Sequence, residues 1–249
     1  VPSGYTKTVD QATLTVTNTH TPGTTERTVT KVWADNDNQD GLRTAVELQL
    51  VAKVNDVEVP WADLKAASAS SSGMDDDGLV TIGIAEPFSY KFENLPEKYQ
   101  GSDVVYSVLE QTDLTGLGYL APTYSTDGLT VTNTYTPGTT ERTVTKVWAD
   151  NNNQDGLRTD VTLKLTATAG GSEVDWADLV SASASGTQMD ADGEVTLSGG
   201  SHTFDNLPEK YQGQTIVYTV DEVTVPSGYT KTVDQATLTV TNTHTPGTT

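Results

Sequence analysis

Seventeen residues, Arg27–Arg43 (RTVTKVWADNDNQDGLR), return with a single change as Arg142–Arg158 (RTVTKVWADNNNQDGLR), and residues 1–25 are identical to residues 225–249. A duplication this close limits the fold, because two copies of one pattern build two cores of one kind. A chain of 249 residues then holds two ordinary domains rather than one large one. Equivalent positions drift from an offset of 115 at Lys31/Lys146 to 112 at Asn94/Asn206 and 109 at Val131/Val240, as short loop insertions would produce. The repeating unit is a two-domain block of 224 residues. Residues 1–25 read as the closing strands of a preceding repeat, 26–137 as one domain and 138–249 as the next, with a tandem array as the natural context. The joints TPGTTE are short, polar and stiffened by proline, so domains are expected end to end as semi-rigid beads.

No long run carries apolar residues at helical spacing, whereas short alternating runs separated by Gly, Asn and Asp turns are frequent. The expected class is all-β. Strands are expected at 28–33, 45–54, 79–84, 88–92, 104–110, 119–124 and 129–135. Acidic glycine-bearing turns are expected at 35–41 and 74–78, with copies at 150–156 and 189–193. One short helical turn is expected from Pro60, with the proline at its first position. Seven or so strands per copy suggest a two-sheet sandwich.

Strand parity exposes an anomaly. Val29, Lys31 and Trp33 share one face, as do Tyr106, Val108 and Glu110, and Leu129, Val131 and Asn133. The second copy repeats the pattern with Val144, Lys146 and Trp148, with Tyr218, Val220 and Glu222, and with Leu238, Val240 and Asn242; Asp221 falls on the opposite side. Each copy thus sets a lysine, a glutamate and an asparagine on faces that are otherwise apolar. One reading is a buried Lys-Glu ion pair with a hydrogen-bonded asparagine. The other is chemical. In a dry pocket lysine tends to lose its proton and glutamate to keep one, so the amine becomes a nucleophile and the acid polarises the asparagine carboxamide. Attack then expels ammonia and leaves an amide.

The run TKVWADNDNQDGLR, followed by NLPEKY, by YSVLE or YTVDE, and by a terminal VTNT, closely resembles the Cna-B-type repeats of Gram-positive surface adhesins and pilins. The resemblance covers both copies in full and residues 1–25 as a partial third. It implies a sandwich of the reversed immunoglobulin type, and an internal isopeptide bond joining first and last strands. Carried over by position, Lys31 would bond Asn133 with Glu110 assisting as the catalytic acid, and Lys146 would bond Asn242 with Glu222 assisting. Asn18 matches the same asparagine, but its lysine and glutamate would belong to the preceding repeat, so it is expected to be unpaired unless a neighbouring molecule supplies them. Such a bond would carry tension past the core. By analogy with a disulfide closing about 100 residues it would contribute on the order of 4 to 5 kcal/mol without cysteine, of which the chain has none. It forms once per site, so no turnover enzyme is expected, and no cofactor.

Other features are weaker. Asp35, Asp37 and Asp40, with Asp150, Asn152 and Asp155, invite a calcium reading, but the spacing misses the EF-hand frame and no glutamate closes the loop. No metal is expected. His20, His202 and His244 are isolated and expected at the surface; Trp61 and Trp176 are expected to plug core edges rather than stack sugars. Lys98 and Lys210 read as solvated loop lysines, and neither a YPKN-like context nor an LPxTG sorting motif occurs. The formal charge of -20, spread over both copies, argues against nucleic acid and anionic membrane as partners. No stretch reaches the roughly 18 apolar residues of a membrane span, and none reads as a signal peptide, so a segment of a longer exported precursor is expected. The function so implied is a stalk or fibre repeat at the cell wall of a Gram-positive bacterium. Its partners would be neighbouring repeats and, through a tip outside this segment, a host matrix protein or glycan. The alternative is an adhesin module that itself binds such a ligand.

Overall fold

The structure, a computed structural model, describes residues 1–68, 73–183 and 188–247. The chain divides into two compact units, Val1–Ala34 with Arg43–Thr134, and Asp35–Leu42 with Tyr135–Thr249.

The first unit opens with a separate hairpin of β1 (Thr6–Asp10) and β2 (Thr15–Thr19). Next come β3 (Thr24–Ala34), β4 (Val46–Val54), β5 (Val57–Val59), helix α1 (Trp61–Ala67), β6 (Leu79–Ile82) and β7 (Ser89–Pro96). A small hairpin of β8 (Lys98–Tyr99) and β9 (Ser102–Asp103) leads to β10 (Val105–Glu110), β11 (Thr123–Tyr124) and β12 (Thr130–Thr134). One sheet has the order β11-β12-β3-β7, the other β10-β4-β5 with β6 also on β4. Val29, Leu48, Leu50, Phe92, Val108 and Val131 are buried in its interior. The fold is an all-β, immunoglobulin-like sandwich.

The second unit repeats it with β13 (Thr139–Ala149), β14 (Val161–Ala169), β15 (Ser172–Val174), α2 (Trp176–Ala182), β16 (Glu194–Leu197), β17 (Gly200–Pro208), β18 (Lys210–Tyr211), β19 (Gln214–Glu222), β20 (Thr230–Asp234) and β21 (Thr239–Thr243). Its sheets run β17-β13-β21-β20 and β15-β14-β19-β18, with β16 on β14. Val144, Leu163, Leu165, Phe204, Val220 and Val240 are the matching core.

Several elements depart from expectation for local reasons. Pro60 is the N-cap and the helix starts at Trp61, one residue later than expected. The strand expected at 119–124 shrinks to β11, because Gly118 turns left-handed at φ 89° and Pro122 has no N–H to donate to a ladder. The short strands β5 and β15 lie outside the expected strands, although Asn55-Asp56 and Gly170-Gly171, all at positive φ, are two-residue hairpin signals. Trp61 donates to Asp75 O at 3.0 Å and meets Phe92 edge-on, and Trp176 does the same with Asp190 O at 2.7 Å and Phe204, so both close a core edge.

The acidic loops have a backbone explanation. Asn36, Asp37 and Asn38 are all left-handed, at φ 54°, 53° and 61°, and Asn151, Asn152 and Asn153 repeat this at 56°, 60° and 59°. Asn and Asp tolerate that conformation better than other side-chain-bearing residues, so the composition is what the turn requires.

Candidate cross-link site

In both units the first strand and the last lie side by side and parallel. β12 pairs β3 with Val131 opposite Lys31 and Asn133 opposite Trp33; β21 pairs β13 with Val240 opposite Lys146 and Asn242 opposite Trp148. Lysine and asparagine are therefore diagonal neighbours on one inward face of one sheet. The glutamate arrives from the other sheet: Glu110 ends β10 and Glu222 ends β19, each paired to the central strand of the facing layer. Lys31, Asn133, Lys146 and Asn242 are at most 2% exposed, Glu222 3% and Glu110 9%. Asp221, one residue from Glu222, is exposed and pairs with Lys231 instead.

The second unit gives the finer geometry. Asn242 Nδ2 donates to Glu222 Oε1 at 2.8 Å, and Lys146 Nζ lies 3.7 Å from Glu222 Oε2, with lysine and glutamate side chains fully enclosed. Lys146 Nζ also donates to Val147 O at 3.2 Å and sits 4.2 Å from the centre of the Trp148 ring; Lys31 Nζ does the same with Val32 O at 3.0 Å and Trp33 at 3.8 Å. Burial pulls the Lys146 ammonium below its ordinary value, against the opposing charges of Glu222 and Asp150. Burial pushes the Glu110 carboxyl up, against the Lys31 charge and the Asn133 carboxamide, which acts on it without reaching hydrogen-bond geometry. Burial thus disfavours the charged form of the lysine in the second unit and of the glutamate in the first.

Several polar atoms of the two trios have no hydrogen-bond partner: both Glu110 carboxyl oxygens, Asn133 Oδ1, Glu222 Oε2 and Asn242 Oδ1. Leaving a buried polar atom unpaired costs about 1–3 kcal/mol, so the trios are the costly part of each interior.

Sequence reasoning passed over a second layer. Asp150 is buried and takes two hydrogen bonds from Arg158, at 2.7 Å from Nε and 2.6 Å from a terminal nitrogen, with a third from Tyr229 OH at 2.8 Å. The Arg158 guanidinium holds its carboxyl far below the usual range. Arg158 and Tyr229 in turn flank the Trp148 ring that covers Lys146. The clue available in the sequence was the span from Asp150 to Arg158, retained in both copies as Asp35 to Arg43. His244, expected at the surface as an isolated residue, is half-buried and engaged: its Nε2 lies 3.0 Å from Asp155 Oδ2 and its Nδ1 2.8 Å from Gly228 O. Asn18 is exposed on β2, opposite Lys7. Among the described residues no group of three or more His, Asp or Glu side chains is placed to hold a metal ion, and no helix is long and apolar enough to cross a membrane.

Comparison with known proteins agrees with this architecture. The model of the Cna protein B-type domain matches residues 27–134 and again 142–243. A collagen adhesin of Staphylococcus aureus is 36% identical over 98% of this chain, which spans 18% of that protein's length. The crystal structure of two B repeat units of the collagen binding protein of S. aureus superposes with a TM-score of 0.62 at 29% identity, covering 99% of this chain and 56% of that one. The chain belongs to the Cna protein B-type domain family, as a tandem pair of its β-sandwich repeats.

Proposed function

We propose that this chain is a structural stalk or fibre segment of a bacterial surface adhesin or pilus-like protein, each unit locked by an amide between its first and last strands. Lys31 bonds Asn133 and Lys146 bonds Asn242, with Glu110 and Glu222 as the acids. The observation that carries the reading is the enclosed trio, lysine and asparagine on adjacent parallel strands and glutamate from the facing sheet, with asparagine carbonyl oxygens that no donor satisfies. A simple ion pair would not orphan the carbonyl. A protonated glutamate donating to that oxygen would satisfy it and draw electrons from the carboxamide carbon. The neutral Nζ attacks Cγ, the glutamate carries the proton from Nζ to Nδ2, the Cγ–Nδ2 bond breaks and ammonia leaves. One amine and one carboxamide become one amide and one ammonia. Each site reacts once, so the chain is structural and not a turnover enzyme.

Parallel pairing of the terminal strands gives the bond its mechanical sense. Tension entering at β3 or β13 and leaving at β12 or β21 loads that ladder in shear, and a covalent tie beside it takes the load before the core does. Residues 1–25 then close a preceding repeat, residues 26–137 and 138–249 are consecutive domains, and the array stands at the cell wall of a Gram-positive bacterium carrying its ligand-binding region elsewhere. Mass spectrometry of the denatured chain tests the bonds: the mass should fall short of the sequence mass by two ammonia molecules, and an unmodified mass refutes the mechanism. The relative named for collagen favours a second reading, in which this segment itself binds matrix protein or glycan. Saturable binding of collagen by this chain alone would displace the stalk reading.

A further inference from the structure

The buried face that carries Lys146 continues past the trio. Lys146, Trp148 and Asp150 follow one another at strand spacing, the last just beyond the end of β13, and Asp150 is 2% exposed. The lysine therefore lies within the electrostatic reach of two carboxylates, Glu222 from the facing sheet and Asp150 along its own strand, and both favour its charged form. An amine held as an ammonium has no lone pair with which to attack. Glu222 can take up the proton and carry it on, whereas Asp150, held far below the usual carboxylate range, stays charged. Left to itself, Asp150 would be a permanent counter-ion for the lysine.

The surroundings of Asp150 prevent this. A carboxylate has about four acceptor positions, and here each is taken. Oδ1 accepts from Asn153 N at 3.1 Å and Arg158 Nη2 at 2.6 Å, and Oδ2 accepts from Arg158 Nε at 2.7 Å and Tyr229 OH at 2.8 Å. Asn153 Oδ1 accepts from Arg158 N at 3.1 Å, which fixes the return of the arginine to the aspartate. Trp148, the residue between lysine and aspartate on this face, is fixed by the same groups. Arg158 lies 5.8 Å from its ring centre, Tyr229 meets it edge-on at 4.9 Å, and its Nε1 donates to Ser198 O at 2.7 Å. The first unit repeats the ring contacts, with Arg43 5.9 Å from the centre of Trp33 and Tyr119 edge-on at 5.5 Å.

We propose that Arg158 is a positioning residue for the cross-link: with Tyr229 and Asn153 it saturates Asp150, so this carboxylate cannot serve as the fixed counter-ion of Lys146 and the amine yields its proton to Glu222. The inference rests on the amide-forming reading of the site, and the reaction balances as it does there. The Nζ lone pair attacks Asn242 Cγ, the Cγ–Nδ2 bond breaks, and ammonia leaves with the proton that Glu222 carries. Arg158 acts only through the charge on Asp150. Arginine suits the task because its fork binds both oxygens and it keeps its charge at every pH at which the domain folds. A clamp that merely braced the loop would leave the proton on Lys146 indifferent to it.

The test follows newly made full-length chain. Cell-free translation with a brief pulse of isotopically heavy lysine is diluted into buffers from mildly acid to alkaline and quenched in acid denaturant at intervals. Mass spectrometry then quantifies the peptides joining Lys146 to Asn242 and Lys31 to Asn133. In Arg158→Gln the Lys146–Asn242 bond should form about tenfold more slowly near neutral pH, the low end of what one unpaired opposite charge does to the neutral amine. The deficit should shrink as pH rises. Adding Asp150→Asn to Arg158→Gln removes the unpaired charge and should restore the parent rate, although it dismantles the clamp. Glu222, Tyr229, Asp155 and His244, the other titratable groups around the site, are common to parent and variants, so comparison at each pH isolates Asp150. Parent speed in Arg158→Gln overturns the inference. So does a double variant as slow as the single one, or a deficit that pH leaves unchanged, since either makes the clamp structural. If Arg158→Gln fails to fold, the double variant and Arg158→Lys, which keeps a positive charge at Asp150, should both keep pace with the parent, and a slow double variant overturns the inference. The first unit separates the causes: a parent that forms neither bond refutes the cross-linking reading, whereas normal Lys31–Asn133 and Lys146–Asn242 bonds in Arg158→Gln refute only the role of Arg158.

Discussion

Replacing Lys146 by methionine isolates the cross-link from the packing around it. Methionine has nearly the length of the lysine stem and no charge, and it would enter a site only 2% open to solvent. Volume-conserving apolar exchanges usually cost less than about 1.5 kcal/mol. Asn242 Nδ2 keeps its hydrogen bond to Glu222 Oε1 at 2.8 Å. What would be lost is the proposed closure of the chain between Lys146 and Asn242, which for about 100 residues would contribute roughly 4.7 kcal/mol by restricting the unfolded state. For a domain of about 100 residues each kcal/mol moves the melting temperature by roughly 4 °C or more, so the second unit should melt about 20 °C lower. Differential scanning calorimetry reads this directly, with the first unit, whose Lys31 is untouched, as internal reference. The mass of Lys146→Met should show one ammonia lost, against two in the parent. If the parent has lost two and the variant still melts within about 5 °C of it, loop closure is not what the bond contributes.

Other perturbations follow from the same geometry. Glu110→Gln removes the acid but keeps the shape, so its mass should show one ammonia lost; loss of two would remove Glu110 from the mechanism. Gly193→Ala should lower the urea midpoint by an amount equivalent to about 1–3 kcal/mol, because a side chain there is strained at φ 68° and its Cβ would come 2.8 Å from the Trp176 ring; an unchanged midpoint would show that the ring yields freely. Asp150 is held below its ordinary 3.8 by Arg158, so the stability it contributes is present above that value and lost as pH falls through its lower folded value. Asp150→Asn should therefore flatten the acid limb of the stability profile, and an unaltered limb would count against the clamp. His244 is shifted the other way, above 6.5, by Asp155, so its contribution is complete below 6.5 and disappears as pH rises through the folded value. Melting of the parent and of His244→Asn should converge in mildly alkaline buffer, and a gap that persists there would argue for packing instead.

What the sequence determined by itself is local. A strand's period of two is a property of its own dihedrals, so parity alone puts Lys31, Glu110 and Asn133 on apolar faces, and near-identity of two stretches is enough to require two similar cores. The turns were equally legible where Gly, Asn or Asp must take positive φ, and less so where two residues such as Asn55 and Asp56 returned a strand only three residues long. Tertiary structure decided which faces meet. Nothing in the alternation of Val131 and Asn133 says that their strand lies parallel to one about 100 residues earlier, because that pairing is chosen by packing across the whole sandwich and its loop-closure entropy is repaid only when the sheet is complete. Nor does parity say that Glu110 reaches the pair from the opposite sheet, or that Asp150, Arg158 and Tyr229 brace the tryptophan over Lys146. The same limit holds for the closing hairpin: the pairing of β20 with β21 is local, and only the β13 edge beside Val240 makes it an interior.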